Sequence, residues 1–470
     1  MDSLMRRQAI TVFLLAAIVG CAFWLRFNTF WLPHWKGDQN QYIALAMKLD
    51  EQGFNGYNLR EVRLGSYVVS EDPPIQLAFC KRSEPGEKGD LIRLLNMVGQ
   101  FHYDQPFHHR PPLFAGILMA SHHLFGDGKK IYGVCSSNLG EKVDSIKPAI
   151  VFKTQFWAVI VPLFFNLALI VMTFLLGARF FNERVALWGA FLMAVNPVSL
   201  VMAHLLLVED TLAFFVTLSV FLTLEFLPKK NYFGVFAAGA AAGLAILTKQ
   251  TGGVLLGVVF LYAWLNEREK HKKYSGFLSK GFLIYTAGAV LVSGFWFWKV
   301  WQNFGNPMYL PSTFAAVKTD MTGWIRQVSH RPAPLFFFSL GVLYLSPVFT
   351  FAFSSFRNFY RRVAGTSPGA GAADAKTLLW LWILASYFFL VEPWHLLVLI
   401  ANQEHRFFYT AYPAIALLAA SGLDRFRQTA GKKIGNTFWA DAAIALLLLA
   451  NACWGVRQAM PVVMNNQLLF

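Results

Sequence analysis

The stretch QFWAVIVPLFFNLALIVMTFLLG, residues 155–177, decides the fold class. It holds no charged side chain, and its length falls in the range of roughly 17–25 residues that a helix needs to cross a bilayer. Comparable apolar runs occur at 8–26, 185–204, 210–227, 232–249, 251–265, 281–299, 335–355, 377–400, 406–422 and 438–456. The sequence therefore predicts an all-α polytopic membrane protein of about eleven transmembrane helices. The run Leu113–Phe125 contains His122 and His123 and is too short to span. It reads as a helix lying at the interface.

Composition agrees. Of 470 residues, 56% are hydrophobic and only 14% charged, against about 25% charged in a typical soluble domain. Aromatics reach 16%, with 46 Phe and 15 Trp, as expected where side chains meet acyl tails and headgroups. A net charge of +15 in a soluble chain would suggest nucleic acid. Here the basic residues cluster between apolar runs, so positive-inside topology explains them and nucleic acid is not an expected partner.

The loops test the span count. With Arg6 and Arg7 inside, alternation places five basic connections in the cytoplasm. They contain Arg179 and Arg184; Lys229 and Lys230; Arg268 to Lys280; Arg357, Arg361, Arg362 and Lys376; and Arg425 to Lys433. The outside connections near 204–210 and 400–405 carry no Lys or Arg, and the one near 250 carries only Lys249. If 113–125 crossed, every later basic loop would face outward. The chain reads as a single transmembrane domain over 1–470. It has a first extracytoplasmic loop at 27–154 with juxtamembrane helices and a second at 300–334. The run ending at Leu25-Arg26 has no small-residue cleavage site after it and reads as a retained span. Cys21 and Cys453 read as core residues of apolar runs. Cys80 and Cys135 fall in polar extracytoplasmic segments, where a disulfide is an open alternative to free thiols.

Charges at membrane depth are costly, and so they nominate a site. The outer face presents Gly37-Asp38-Gln39-Asn40-Gln41-Tyr42, His108-His109-Arg110-Pro111-Pro112-Leu113, Glu209-Asp210, Lys249 and Glu404-His405-Arg406. Asp38 is either a helix cap or a general base. Glu209 and Asp210 either answer a helix dipole or, with Asp38, hold a divalent cation such as Mg or Mn or position an acceptor hydroxyl. Lys249 either snorkels to headgroups or binds a phosphate, and Arg406 allows the same two readings. Arg110 is a third outer cation. Carboxylates beside cations at a lipid boundary suit a reaction whose leaving group is a lipid phosphate.

These residues resemble the GT-C glycosyltransferase superfamily, closest to its protein O-mannosyltransferase and lipid A aminoarabinose transferase branch. The matching features run in the family's order. They are Asp38 ahead of Tyr42; Arg110-Pro111-Pro112-Leu113 opening a helix that ends in Phe125-Gly126; Asn196-Pro197 followed by Glu209-Asp210; Leu247-Thr248-Lys249 closing a small-residue span; and Arg406-Phe407-Phe408 followed by Pro413. Gln39 stands where many members carry Glu, and Arg110 where many carry Lys or His. The resemblance implies a polyprenyl-phosphate-linked sugar donor, a lipid, glycan or protein acceptor, and an extracytoplasmic active site in a bacterial plasma membrane. By that resemblance Asp38 would be the catalytic base or an acceptor-binding carboxylate, and Asp210 the second site carboxylate. Lys249 and Arg110 would contact the donor phosphate, with His109, Tyr42, Glu209, His405 and Arg406 as further binding residues. The rival expectation is a transporter or flippase of a lipid-linked or anionic solute, which would show inverted repeats. No such repeat is visible in the sequence.

Overall fold

The structure is a computed structural model that describes residues 2–27, 42, 45, 46, 49, 50, 53, 110–126, 148–271, 279–305, 347–366, 374–387 and 408–464. All regular elements among the described residues are helical. They are α1 Asp2–Phe27, α2 Leu113–Phe125, α3 Pro148–Phe180, α4 Glu183–Ala194, α5 Pro197–Met202, α6 Glu209–Phe226 and α7 Tyr232–Thr248. Then come α8 Val254–His271, α9 Lys280–Phe304, α10 Phe356–Val363, α11 Ala375–Ser386, α12 Tyr412–Ile434 and α13 Phe438–Met464. Short 3-10 turns at Gln250–Gly253, Pro347–Ser355 and Tyr409–Ala411 join or extend them. The fold is that of an integral membrane protein. Among the described residues, Met5–Phe27, Phe156–Phe180, Lys280–Gln302 and Phe438–Met460 are long and apolar enough to cross a bilayer.

Sequence chemistry sets the helix ends. Asn182 starts α4 by accepting a bond from Val185 N at 2.9 Å. Asn231, Ser279 and Asp374 cap α7, α9 and α11 in the same manner, each supplying an acceptor to an otherwise unpaired N–H. Gly305 and Gly435 close α9 and α12 with φ of 69° and 74°, a left-handed turn that suits glycine.

The apolar run 185–204, expected as one span, is broken. Proline lacks an N–H and disfavours helical geometry in the residue before it. Asn196 is accordingly extended, and its side chain accepts from Ser199 N at 3.0 Å to begin α5 afresh. The run 335–355 is described only from residue 347, where it is 3-10 rather than α.

Lipid-facing surfaces are apolar. Phe13 and Trp24 on α1, Leu291 and Trp298 on α9, and Trp439 on α13 are exposed. Cys21 and Cys453 also lie on exposed helix faces, which corrects their reading as core residues. The interior is closed where small residues meet. A Cβ on Gly239 would stand 1.9 Å from the Tyr285 carbonyl oxygen, and one on Gly288 2.3 Å from that of Phe236. Helices α7 and α9 are therefore in backbone-to-backbone contact. Ser219 adds a polar seam, donating to the Ala238 carbonyl at 2.8 Å and lying 2.9 Å from the Tyr285 hydroxyl.

Candidate active site

Chain direction brings distant residues to one end of the bundle. There α1 and α7 finish, α6 starts, and the Tyr409–Ala411 turn leads into α12. The break at Asn196-Pro197 supplies the remaining piece, because α5 and the turn after it fold across this end.

Arg26, near the end of α1, is fully buried. Its Nε donates to Asn166 Oδ1 at 2.6 Å. Its Nη1 donates to the carbonyls of Ala22 and Ala194, both at 3.0 Å, and its Nη2 to Ser199 Oγ at 3.0 Å. Because the guanidinium takes the Asn166 oxygen, the amide nitrogen must face the other way. It donates to Asp210 Oδ1 at 2.7 Å. The Tyr409 hydroxyl donates to the same oxygen at 2.7 Å. One oriented amide thus links a buried arginine to a buried carboxylate, a hydrogen-bonded network of the kind that lowers the cost of burying charge. Asp210 Oδ2 has no hydrogen-bond partner among the described residues.

Glu209 precedes Asp210 in the chain but points to a different helix. Its Oε1 accepts from Lys249 Nζ at 3.0 Å, and both carboxylates are almost fully buried. Lys249 is the residue at which α7 stops. Its backbone is extended and its carbonyl accepts from Gly252 N at 2.9 Å, so the side chain leaves the helix axis. One turn of α6 therefore presents two carboxylates, each matched to a cation from another element. His204 braces the same corner: its ring nitrogens lie 2.6 Å from the Leu200 carbonyl oxygen and 2.9 Å from that of Arg26.

A second group involves α2, which has the expected bounds Leu113–Phe125. Arg110, just ahead of it, is buried with its guanidinium carbon 4.5 Å from the centroid of the Tyr42 ring. Tyr42 in turn meets Phe114 edge-on at 5.0 Å. Cation–π contact over a buried ring holds the arginine in place.

Of the residues nominated from sequence, the structure joins Glu209 to Lys249 and Arg110 to Tyr42, and it buries Asp210 beside Glu209. Asp38, His109, His405 and Arg406 lie outside the described residues, as do Cys80 and Cys135. Sequence reasoning missed Arg26, Asn166, Ser199, His204 and Tyr409. Two of them carried a readable signal: Arg26 is a cation closing an apolar run, and Asn166 an amide inside the 155–177 span, where polar groups are costly. Among the described residues no group of three or more His, Cys, Asp or Glu side chains is arranged to hold a metal ion.

Comparison with known proteins extends this picture. Residues 128–273 match the family model described as dolichyl-phosphate-mannose-protein mannosyltransferase. That segment carries Asn196-Pro197, Glu209-Asp210 and Lys249. An uncharacterized protein of Aquifex aeolicus is 26% identical over 289 residues, which is 60% of this chain and 51% of that protein. The chain thus spans about half the length of that curated relative. ArnT from Cupriavidus metallidurans in the apo state superposes with a TM-score of 0.52 at 15% identity, covering 92% of this chain and 63% of ArnT. The form of that protein bound to undecaprenyl phosphate gives 0.51 at 14% identity, over 98% of this chain and 73% of the other. The oligosaccharyltransferase of Archaeoglobus fulgidus gives 0.53 at 12% identity, over 96% and 56%. The multi-helix membrane fold expected from the resemblance is the fold observed, and it is similar to that of ArnT and of the archaeal oligosaccharyltransferase.

Proposed function

We propose, from the premise of a GT-C-type fold, that this chain is a membrane glycosyltransferase. It moves a sugar from a polyprenyl-phosphate donor to an acceptor hydroxyl at the extracytoplasmic face of a bacterial plasma membrane. The observation that carries the reading is the pair of buried carboxylates, Glu209 and Asp210, each tied to its own cation at one end of the bundle. A polar cluster of this kind at a helix-bundle end is costly to bury and is retained where charge must be handled. ArnT, whose fold this chain shares, has been crystallised with undecaprenyl phosphate.

In this reading the acceptor oxygen attacks the anomeric carbon as the bond from that carbon to the phosphate oxygen breaks, so configuration inverts. Asp38 takes the proton released by the acceptor hydroxyl. The electron pair of the broken bond stays on the polyprenyl phosphate, where Lys249, Arg110 and Arg406 offset the developing charge. Glu209 orients Lys249, and the Tyr42 ring fixes Arg110. Trp and Phe side chains near this face contact the prenyl tail. His109 and His405 border the acceptor side. Should a Mg or Mn ion take part, Asp38 and Asp210 are its candidate ligands. Asp210 Oδ2, lacking a hydrogen-bond partner among the described residues, fits that use. Such an ion would supply positive charge at the phosphate.

The test is purified protein incubated with a panel of polyprenyl-phosphate sugars and a bacterial envelope extract as the source of acceptor hydroxyls, scored by release of free polyprenyl phosphate. At least one donor is expected to turn over. Asp38→Asn is expected to abolish release while leaving the melting temperature unchanged. An Asp38→Asn protein that transfers normally would remove Asp38 as the base. No release from any donor would remove the reaction.

A further inference from the structure

At the end of the bundle opposite the site, α10 carries a surface that the proposed reaction does not use. This helix, FRNFYRRV, follows the apolar 3-10 segment and precedes α11. Its inner face is aromatic. Phe356 and Phe359 lie 4.9 and 6.1 Å from Trp380, and the indole N–H of Trp380 donates to Ser355 Oγ at 2.9 Å. Its last turn is fastened by Arg268 of α8, whose Nη2 donates to the carbonyls of Arg362 at 2.8 Å and Val363 at 3.2 Å. Arg362 is tied back to Asp374 at 3.2 Å.

The outer face is different. Arg357, Tyr360 and Arg361 stand at i, i+3 and i+4, so they share one side of the helix. All three are exposed, Tyr360 by 64%. Neither the Arg357 nor the Arg361 side chain has a carboxylate or hydrogen-bond partner among the described residues. Two like charges one turn apart repel unless an anion sits between them. Arg425 of α12 is fastened to the segment just ahead of this helix, donating to the Ser354 carbonyl at 2.8 Å. Beside it Phe426 is 45% exposed and packs against Phe351 at 6.1 Å. The exposed Tyr360 ring thus stands within one helical turn of the Arg357 and Arg361 guanidinium groups, as at a bilayer's headgroup boundary.

We propose that this face binds the phosphate of an anionic phospholipid in the leaflet opposite the site. Arg357 and Arg361 flank the phosphate, and Tyr360 lies between them at headgroup depth. Charge complementarity selects an anion. The adjoining apolar surface of Phe426 and Phe351 selects one that carries acyl chains over a soluble acidic protein. The binding is independent of the transfer reaction.

The test uses the full chain in neutral detergent, titrated with phosphatidylglycerol or phosphatidylcholine, with retained lipids counted by native mass spectrometry. Wild type is expected to retain phosphatidylglycerol in preference to phosphatidylcholine. R357Q/R361Q is expected to bind it roughly thirtyfold more weakly, about fivefold per arginine. R357K/R361K, which keeps the charge, is expected to stay near wild type. If the glutamine pair fails to fold, R357Q alone is expected to show the fivefold loss. Equal retention of the two lipids by wild type, or full phosphatidylglycerol binding by the glutamine variants, would overturn the proposal. So would soluble polyglutamate that competes with phosphatidylglycerol at equal concentration, since that result would assign the face to an acidic protein.

Discussion

Asn166 donates its amide nitrogen to Asp210 Oδ1 over 2.7 Å while its amide oxygen is held by Arg26 Nε at 2.6 Å. One side chain therefore mediates between a buried cation and a buried carboxylate. Asn166→Leu keeps the volume but removes both links. It is expected to lower stability by about 3 kcal/mol, the scale on which buried groups lose charge-assisted bonds. Thermal melting of the purified variant in detergent measures this. Melting within a degree of wild type would show that water replaces the amide.

Removing one member of a buried ion pair is expected to cost about 3–5 kcal/mol, because the other charge stays behind. Lys249→Met should therefore destabilise the protein on that scale and abolish transfer. Adding Glu209→Gln to Lys249→Met should restore part of the stability and none of the activity. A double-variant cycle on melting temperatures reads the coupling. Additive losses would contradict a direct pair.

Tyr409→Phe deletes one hydroxyl from the Asp210 network. The expected cost is about 1–2 kcal/mol, since Asn166 still donates to the same oxygen. Transfer should fall at constant expression as the carboxylate becomes freer to rotate. The comparison of melting curve and donor turnover separates the two effects. Unchanged turnover would make the hydroxyl purely structural.

Two glycines in consecutive helices should behave oppositely. Gly239→Ala would put a methyl carbon 1.9 Å from the Tyr285 carbonyl oxygen, so α7 and α9 must separate. Loss of folded protein from membrane extracts is expected. Gly257→Ala in α8 meets nothing within 4 Å. It is expected to be neutral or to stabilise by up to about 1 kcal/mol through helix propensity. Size-exclusion profiles of the two variants give the answer.

The helical membrane fold is legible because apolar runs of bilayer length stand out in the sequence, four of them matching described helices long enough to cross, and the short helix Leu113–Phe125 has the bounds its apolar run gives it. The break at Asn196-Pro197 was read as a motif but not as an interruption. An apolar run states its hydrophobicity; its continuity depends on the proline and on the Asn196 cap. The site was half legible. Glu209, Asp210 and Lys249 stand out as charges at the ends of apolar runs, and Arg110 as the cation ahead of the Leu113–Phe125 helix. Ser199 and Tyr409 do not, because hydroxyls are common in helices and acquire meaning only from a partner across the bundle. The links from Arg26 to Asn166 and from Asn166 to Asp210 join residues 140 and 44 apart in the chain. No local pattern encodes such pairings.

The glycine seam between α7 and α9 decides how Lys249 is mounted. Because Gly239 and Gly288 let the two backbones meet, α7 leans directly on α9, and the lysine at which α7 stops stands on a braced rim. If Lys249 meets a donor phosphate as proposed, the passage for a prenyl chain lies along some other boundary of the bundle.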